Sequence, residues 1–212
     1  MTSAEIMEKL KLYESLLHKW QKAINLVSPG TLDNTWNRHF EDSLQLLPVI
    51  LNAGEESKYP SGTTLSQEGK NSLTLFDLGS GGGFPGMVLA MARPDINVHL
   101  IESDSKKCSF LKTVSRESLT PVTVHNARIE SVETESVPDL ITARALASLD
   151  KLLDWCLPWA KKNPDLIMVF LKGEKTAEEI AEAELKHSFD YKIYDSVTDS
   201  SGKIIVISNL KS

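Results

Sequence analysis

Cysteine is nearly absent from this chain. Cys108 and Cys156 are the two among 212 residues, and both fall in helical contexts far apart. They suggest neither a disulfide framework nor a zinc site. Both read as small apolar side chains of a reducing compartment. A long apolar run is missing too. Nothing approaches the length of a membrane span, and the N-terminal MTSAEIMEKLKLYESLL is amphipathic rather than a signal peptide. The expected location is therefore cytoplasmic, with no membrane partner and no metal. Positive charge is not in excess: 23 Lys and Arg stand against 29 Asp and Glu, a net −6. That excludes a generally adhesive nucleic-acid binder and leaves room for one with a local basic face.

What is present concentrates in Leu73–Gly86, LTLFDLGSGGGFPG. An apolar stretch with strand character ends in Asp77, and four glycines follow within five residues, interrupted only by Ser80. Glycines let a backbone turn sharply and approach a ligand without Cβ clashes. Helix formers (MVLAMA) come after Gly86, so the turn lies between a strand and a helix, where a nucleotide-binding sheet holds its ligand. A dinucleotide fingerprint would need a third glycine at position 84, which is Phe, and no Gly-Lys-Ser/Thr follows as in a P-loop. The next strand, Asn97–Ser103, carries Glu102 near its end, a spacing that sets a carboxylate on a ribose diol. The alternative is an ordinary loop and a surface acid.

Three regions are expected. Residues 1–51 form an N-terminal helical extension, with one helix over 3–27 capped by Ser3 and a second helical zone over Leu32–Leu51. The polar, aperiodic segment 52–72 reads as a flexible insert. Residues 73–212 alternate strands and helices: strands at 73–78, 97–102, 122–125, 139–143 and 166–171, then YKIYDSV and GKIIVISNL as an antiparallel pair turning at Ser201-Gly202. This predicts an α/β fold with a mostly parallel, doubly wound sheet whose ligand lies at the carboxyl ends of the strands.

These stretches resemble the class I, Rossmann-like methyltransferases, with their acidic Gly-rich first turn, an acid ending the second strand and an antiparallel last strand. Within that group the chain is similar to the bacterial small-subunit (16S) ribosomal RNA guanine-N7 methyltransferases, once called glucose-inhibited division protein B. The matching stretches are NLVS (25–28), RHFEDSL (38–44), DLGSGGGFPG (77–86), ESDSKKCSFLK (102–112), NARIE (126–130), TARALASL (142–149) and FLKG (170–173). The departures are the polar insert and a rather acidic C-terminal third.

The resemblance implies S-adenosyl-L-methionine as cofactor and 16S ribosomal RNA or the small ribosomal subunit as partner. It places Gly79, Gly81 and Gly83 beside the methionine part of the cofactor, with Phe84 packed next to it and Asp77 near the sulfonium or amino group. It gives Glu102 the ribose hydroxyls, Ser103 and Asp104 a place near the adenosine, and Ile129 and Glu130 the border of the adenine. Arg144 would join cofactor and substrate sites as the catalytic residue. Arg38, His39, Asp42, Ser43 and Lys172 would face the RNA. Bland readings stand beside these. Arg144 could pair with Asp77 or Glu130. Arg38 and Asp42 could form a helix pair with His39 as a packed neighbour. Lys172 could be a solvated strand end, Arg128 a purely structural residue, and the lysines of the first helix a solvated face.

Guanine N7 carries a free lone pair, so such a reaction needs alignment and no general base. No covalent intermediate is expected, and strand four lacks the Asn/Asp-Pro-Pro-aromatic motif of adenine amino methylation. The alternative function is a methyltransferase acting on a small molecule or a protein. A nicotinamide oxidoreductase is disfavoured by Phe84, and a non-catalytic RNA-binding factor by the intact turn and Glu102.

Overall fold

A computed structural model describes residues 2–56 and 73–212. Residues 57–72 of the expected insert lie outside the described residues, and its first five, 52–56, are helical rather than part of an aperiodic segment. Helix α1 spans Ser3–Gln21. Thr2, not Ser3, caps it: its hydroxyl takes the Glu5 amide while the Glu5 carboxylate takes the Thr2 amide, a reciprocal capping box. The helix stops well short of residue 27 because the Gln21 side chain turns outward and accepts the amides of Leu26 and Val27. The second helical zone is not one helix either. A 3-10 turn over Pro29–Asn34 leads into a π-helix over Trp36–Glu41, then α2 (Asp42–Leu44) and α3 (Leu46–Glu56).

From there the alternation is as expected, with ends shifted by up to three residues. The strands are β1 (Thr74–Leu78), β2 (Asn97–Glu102), β3 (Thr123–Asn126), β4 (Leu140–Arg144), β5 (Ile167–Lys172), β6 (Ser188–Asp195) and β7 (Lys203–Lys211). The helices are α4 (Gly86–Ala92), α5 (Ser105–Glu117), α6 (Leu149–Lys162) and α7 (Thr176–Glu184). The sheet runs β3-β2-β1-β4-β5-β7-β6, parallel except where β7 pairs antiparallel with β5 and β6. The last turn is longer than expected, Ser196–Gly202 in place of a tight Ser-Gly corner.

Each central strand divides its side chains between two cores. On β5, Val169 and Leu171 face the core built by α1, α4 and α5, while Met168 and Phe170 face α6 and α7. That is the period of two expected of a strand covered on both sides. Helix α1 belongs to the first core through Leu10, Tyr13 and Leu17, all at 1% exposure or less. Truncating one such leucine to alanine costs about 2–5 kcal/mol. The strand order reverses at β1, flanked by β2 and β4, and the crevice at that switch point is where ligands of such sheets bind.

Candidate active site

The turn after β1 is a backbone structure. Gly79, Gly81 and Gly83 all have positive φ (62°, 56° and 95°), a region that L side chains rarely adopt. Their surroundings differ. A Cβ on Gly83 would run into the Tyr13 hydroxyl, Leu111 and Met87, so this glycine lets the turn press against α1. Gly79 lies under the methyls of Leu146. Gly81 meets nothing closer than its own Gly79 carbonyl at 3.7 Å and opens to space.

Glu102, 8% exposed at the end of β2, ties this turn to the sheet. Its Oε2 accepts the Gly81 amide at 2.9 Å and its Oε1 the Asp104 amide at 2.8 Å. A carboxylate has about four lone-pair sites, so each oxygen keeps one for a further donor. The open face at Gly81 beside a half-committed carboxylate fits a ribose diol and its attached chain. The Asp104 carboxylate itself caps α5 by accepting the Lys106 and Lys107 amides. Ser103 is exposed. Ile129 and Glu130 begin a 3-10 turn after β3, Ile129 against the second core and Glu130 outward. Arg128 is exposed and forms no ion pair among the described residues.

Behind the turn lies an aromatic wall. Phe84 stacks on Tyr13 (5.2 Å) and His39 (4.9 Å), meets Phe40 edge-on, and carries the Arg144 guanidinium 5.1 Å from its centroid. The Tyr13 hydroxyl donates to the Gly82 carbonyl, and burial pushes that phenol well above its ordinary range. Asp77 is fully enclosed. Its Oδ1 accepts from the Thr142 hydroxyl at 2.8 Å, while Oδ2 has no hydrogen bond. Burial raises its pKa to about 6 against the opposing help of Thr142, Ser80, the Gly86 amide and Arg144. The Gly86 amide points at this carboxylate without reaching hydrogen-bond geometry.

On the far side of Leu146, a cavity of about 740 Å³ opens at the carboxyl ends of β4 and β5. Arg38, His39 and Asp42 wall one side, Arg144 to Ser148 the floor, Lys172 and Glu179 a second side, and the β6–β7 turn the third. Its cations are all matched. Arg38 pairs with Asp199 (2.8 Å), Arg144 with Asp42 (3.2 Å), Lys172 with Glu179 (2.5 Å), and Lys203 with Asp195. Arg144 also donates to the Arg38 carbonyl. Ala145, next to it, has φ of 48°, a strained conformation of the kind that clusters at functional sites.

This changes the pairings read from sequence. Arg144 reaches Asp42, not Asp77 or Glu130. The Arg38–Asp42 helix pair does not form, because Asp42 is taken by Arg144, Gln45 and Thr198 and Arg38 crosses to the β6–β7 turn. Ser43 is fully buried and donates to the His39 carbonyl inside its own helix, so it does not reach the cavity. The Lys172 side chain is 7% exposed and no solvated strand end; it also donates to the Ala147 carbonyl. Sequence reasoning passed over Glu179, Thr31 and the 196–202 turn. The short-range signal that existed was Glu179 on a helix following a buried strand end.

His39 has a definite tautomer. Thr31 spends its one hydroxyl proton on the Ser28 carbonyl, so it must accept from His39 Nε2 at 2.8 Å. Burial, then Arg144 and Arg38, lower the His39 pKa to about 4. The ring is neutral at physiological pH and leaves Nδ1 as a buried acceptor without a partner. Neither thiol is accessible: both cysteines are buried, and burial raises both above the ordinary thiol range. Among the described residues no group of three or more His, Cys, Asp or Glu could hold a metal, and no helix is long and apolar enough to cross a membrane.

Comparison with known proteins adds the following. The family model described as rRNA small subunit methyltransferase G matches residues 6–58 and 60–207. A ribosomal RNA small subunit methyltransferase G of Paramagnetospirillum magneticum is 43% identical over 96% of this chain and 88% of its own length. The protein of that name from Gluconobacter oxydans is 43% identical over 99% and 96%. Among solved structures, MtNAS in complex with S-adenosylmethionine superposes with a TM-score of 0.57 at 12% identity, over 96% of this chain and 75% of that one. A ribosomal protein L11 methylase from Lactobacillus delbrueckii gives 0.52 at 17%, over 78% of each. At such identities these two likenesses speak to the fold alone.

Proposed function

The chain belongs to the rRNA small subunit methyltransferase G family, and from that premise we propose that it transfers a methyl group from S-adenosylmethionine to N7 of a guanine in 16S ribosomal RNA, as the naked RNA or within the small subunit. The observation that carries this reading is the adjacency of two sites. An open glycine turn gripped by Glu102 lies on one side of Leu146, and a cavity wide enough for a purine lies on the other.

When bound, S-adenosylmethionine supplies an activated methyl on a sulfonium centre. Glu102 takes the ribose diol on its two spare lone-pair sites, and Gly81 provides the close backbone approach. Ile129 and Glu130 border the adenine, near Ser103 and Asp104. Gly79 and Asp77 lie under the methionine arm, Asp77 through the turn it supports; Gly83 and Phe84 hold that turn against α1.

N7 needs no base to unmask its lone pair, so the protein's task is alignment and exclusion of water. Good positioning is worth up to roughly 7–11 kcal/mol. Accepting a methyl makes the guanine cationic, so a bare cation facing N7 would oppose the reaction. Asp42 answers this by neutralising Arg144 across 3.2 Å, which leaves the guanidinium free to orient O6 or a phosphate. The target base must leave its stack or already lie in a loop to enter the cavity. Arg38, His39 and Lys172 line the entry.

The test is methyl transfer to small-subunit RNA from cells lacking the protein, with the modified base mapped. Label on N7 of one guanine is expected. Label recovered only in protein or in small molecules would replace this reading with the alternative one.

A further inference from the structure

The cavity holds three carboxylates that could read a base, and two are already committed. Asp42 gives Oδ1 to Gln45 and Thr198 and Oδ2 to Arg144. Asp199 gives Oδ1 to the amide and hydroxyl of Ser201 and Oδ2 to Arg38. Glu179 differs. Its Oε2 alone takes both the Leu149 amide (2.7 Å) and the Lys172 ammonium (2.5 Å), and Oε1 has no partner among the described residues. The side chain is 23% exposed and lines the cavity. It is therefore anchored at one oxygen, held at the first residue of α6, and presents the other to the space a substrate would enter.

Guanine is the base whose Watson–Crick edge carries two adjacent donors, N1–H and the 2-amino group. Adenine presents an acceptor at N1, so an ionised carboxylate accepts from guanine and repels adenine. Resting on the methyl-transfer reading above, we propose that Glu179 is the specificity residue of the cavity. Its Oε1 accepts from the N1–H and 2-amino edge of the target guanine and so turns N7, on the opposite side of the purine, towards Leu146 and the glycine turn. Lys172 holds Glu179 in place, and its Ala147 contact fixes that pair to the loop after β4.

The test uses the full chain with small-subunit transcripts reconstituted into particles, in three forms: guanosine at the target, inosine there (no 2-amino group), and 7-deazaguanosine there (no N7). The wild type should favour guanosine over inosine by roughly 10- to 100-fold in kcat/KM, the range of one charge-assisted hydrogen bond. In Glu179→Gln that ratio should collapse to about one, with transfer to guanosine reduced and S-adenosylhomocysteine affinity held within about twofold. The glutamine keeps an oxygen for the Leu149 amide, and the ratio cancels any loss common to both RNAs. An unchanged ratio in Glu179→Gln, or a wild type indifferent to the 2-amino group, overturns the role of Glu179 and leaves N7 methylation standing. Transfer to 7-deazaguanosine overturns the N7 assignment, and transfer to none of the three RNAs overturns the methyl-transfer reading itself.

Discussion

The two halves of the site are made differently. On the β1–β2 side the working atoms belong to the backbone: amides of Gly81 and Asp104, held by a single carboxylate at 2.8–2.9 Å. On the β4–β5 side they belong to side chains arranged in ion pairs, two of which draw a partner from elsewhere in the fold. A backbone cradle is rigid and indifferent to what the flanking side chains are. A side-chain cavity can be re-tuned residue by residue. Cofactor capture and base choice are thereby separated, and damage to one should spare the other.

Substitutions can break that separation or sharpen it. The largest effect is expected from Gly83→Ala, which adds a Cβ against Tyr13, Leu111 and Met87 at a φ of 95°. Backbone strain and overpacking together should cost about 3 kcal/mol or more in denaturant unfolding, and S-adenosylhomocysteine binding should go with it. Arg144→Ala should lower turnover on RNA by roughly 100-fold through loss of positioning, with cofactor affinity and fold retained; a parallel loss of affinity in calorimetry would show the two halves to be one. Glu102→Ala should do the reverse, weakening cofactor affinity by about 1.5–3 kcal/mol while RNA binding by filter retention stays unchanged.

Acidity gives a smaller effect. His39 and His99 have pKa values lowered by burial from 6.5 to about 4, so the stability they contribute is present above pH 6.5 and drains away as pH falls towards 4. Asp77, raised from 3.8 to about 6 by burial, works in the opposite sense: its contribution is full below pH 3.8 and lost as pH rises through 6. Two histidines outweigh one acid, and the Tm should fall between pH 7 and pH 5. His99→Gln should shrink that fall; an identical fall in the variant would remove His99 from the account. Least of all is expected from Arg38→Ala. Its bridge to Asp199 joins an exposed arginine to a half-buried aspartate (43% and 34%), and such surface pairs are worth about 1 kcal/mol or less.

The same contrast explains what could be read from the chain in advance. The turn was legible because its parts are consecutive: a strand, an acid, glycines and a helix, with Glu102 one crossover away. The cavity's pairings were not, because Arg144 and Asp42 are 102 positions apart, and Arg38 and Asp199 161 apart. Helix spacing suggested Arg38 with Asp42, a local pair that loses to two distant partners, Arg144 and Thr198, converging on Asp42 with the nearby Gln45. The helical zone over Leu32–Leu51 was legible, but its π-helical winding over Trp36–Glu41, which carries Arg38 and His39 to the cavity wall, was not.

The β6–β7 turn is stitched to the helix over 36–45 by Asn37, Arg38, Asp42 and Gln45, which hold Val197, Thr198 and Asp199. This clasp divides the site by position along the chain. The glycine turn and Glu102 come before β5, whereas Ser196, Asp199, Gly202 and Lys203 of the cavity rim come after it. The rim therefore takes its shape from the last strand pair, and a loosened clasp would open the large pocket while leaving the small-ligand turn in place.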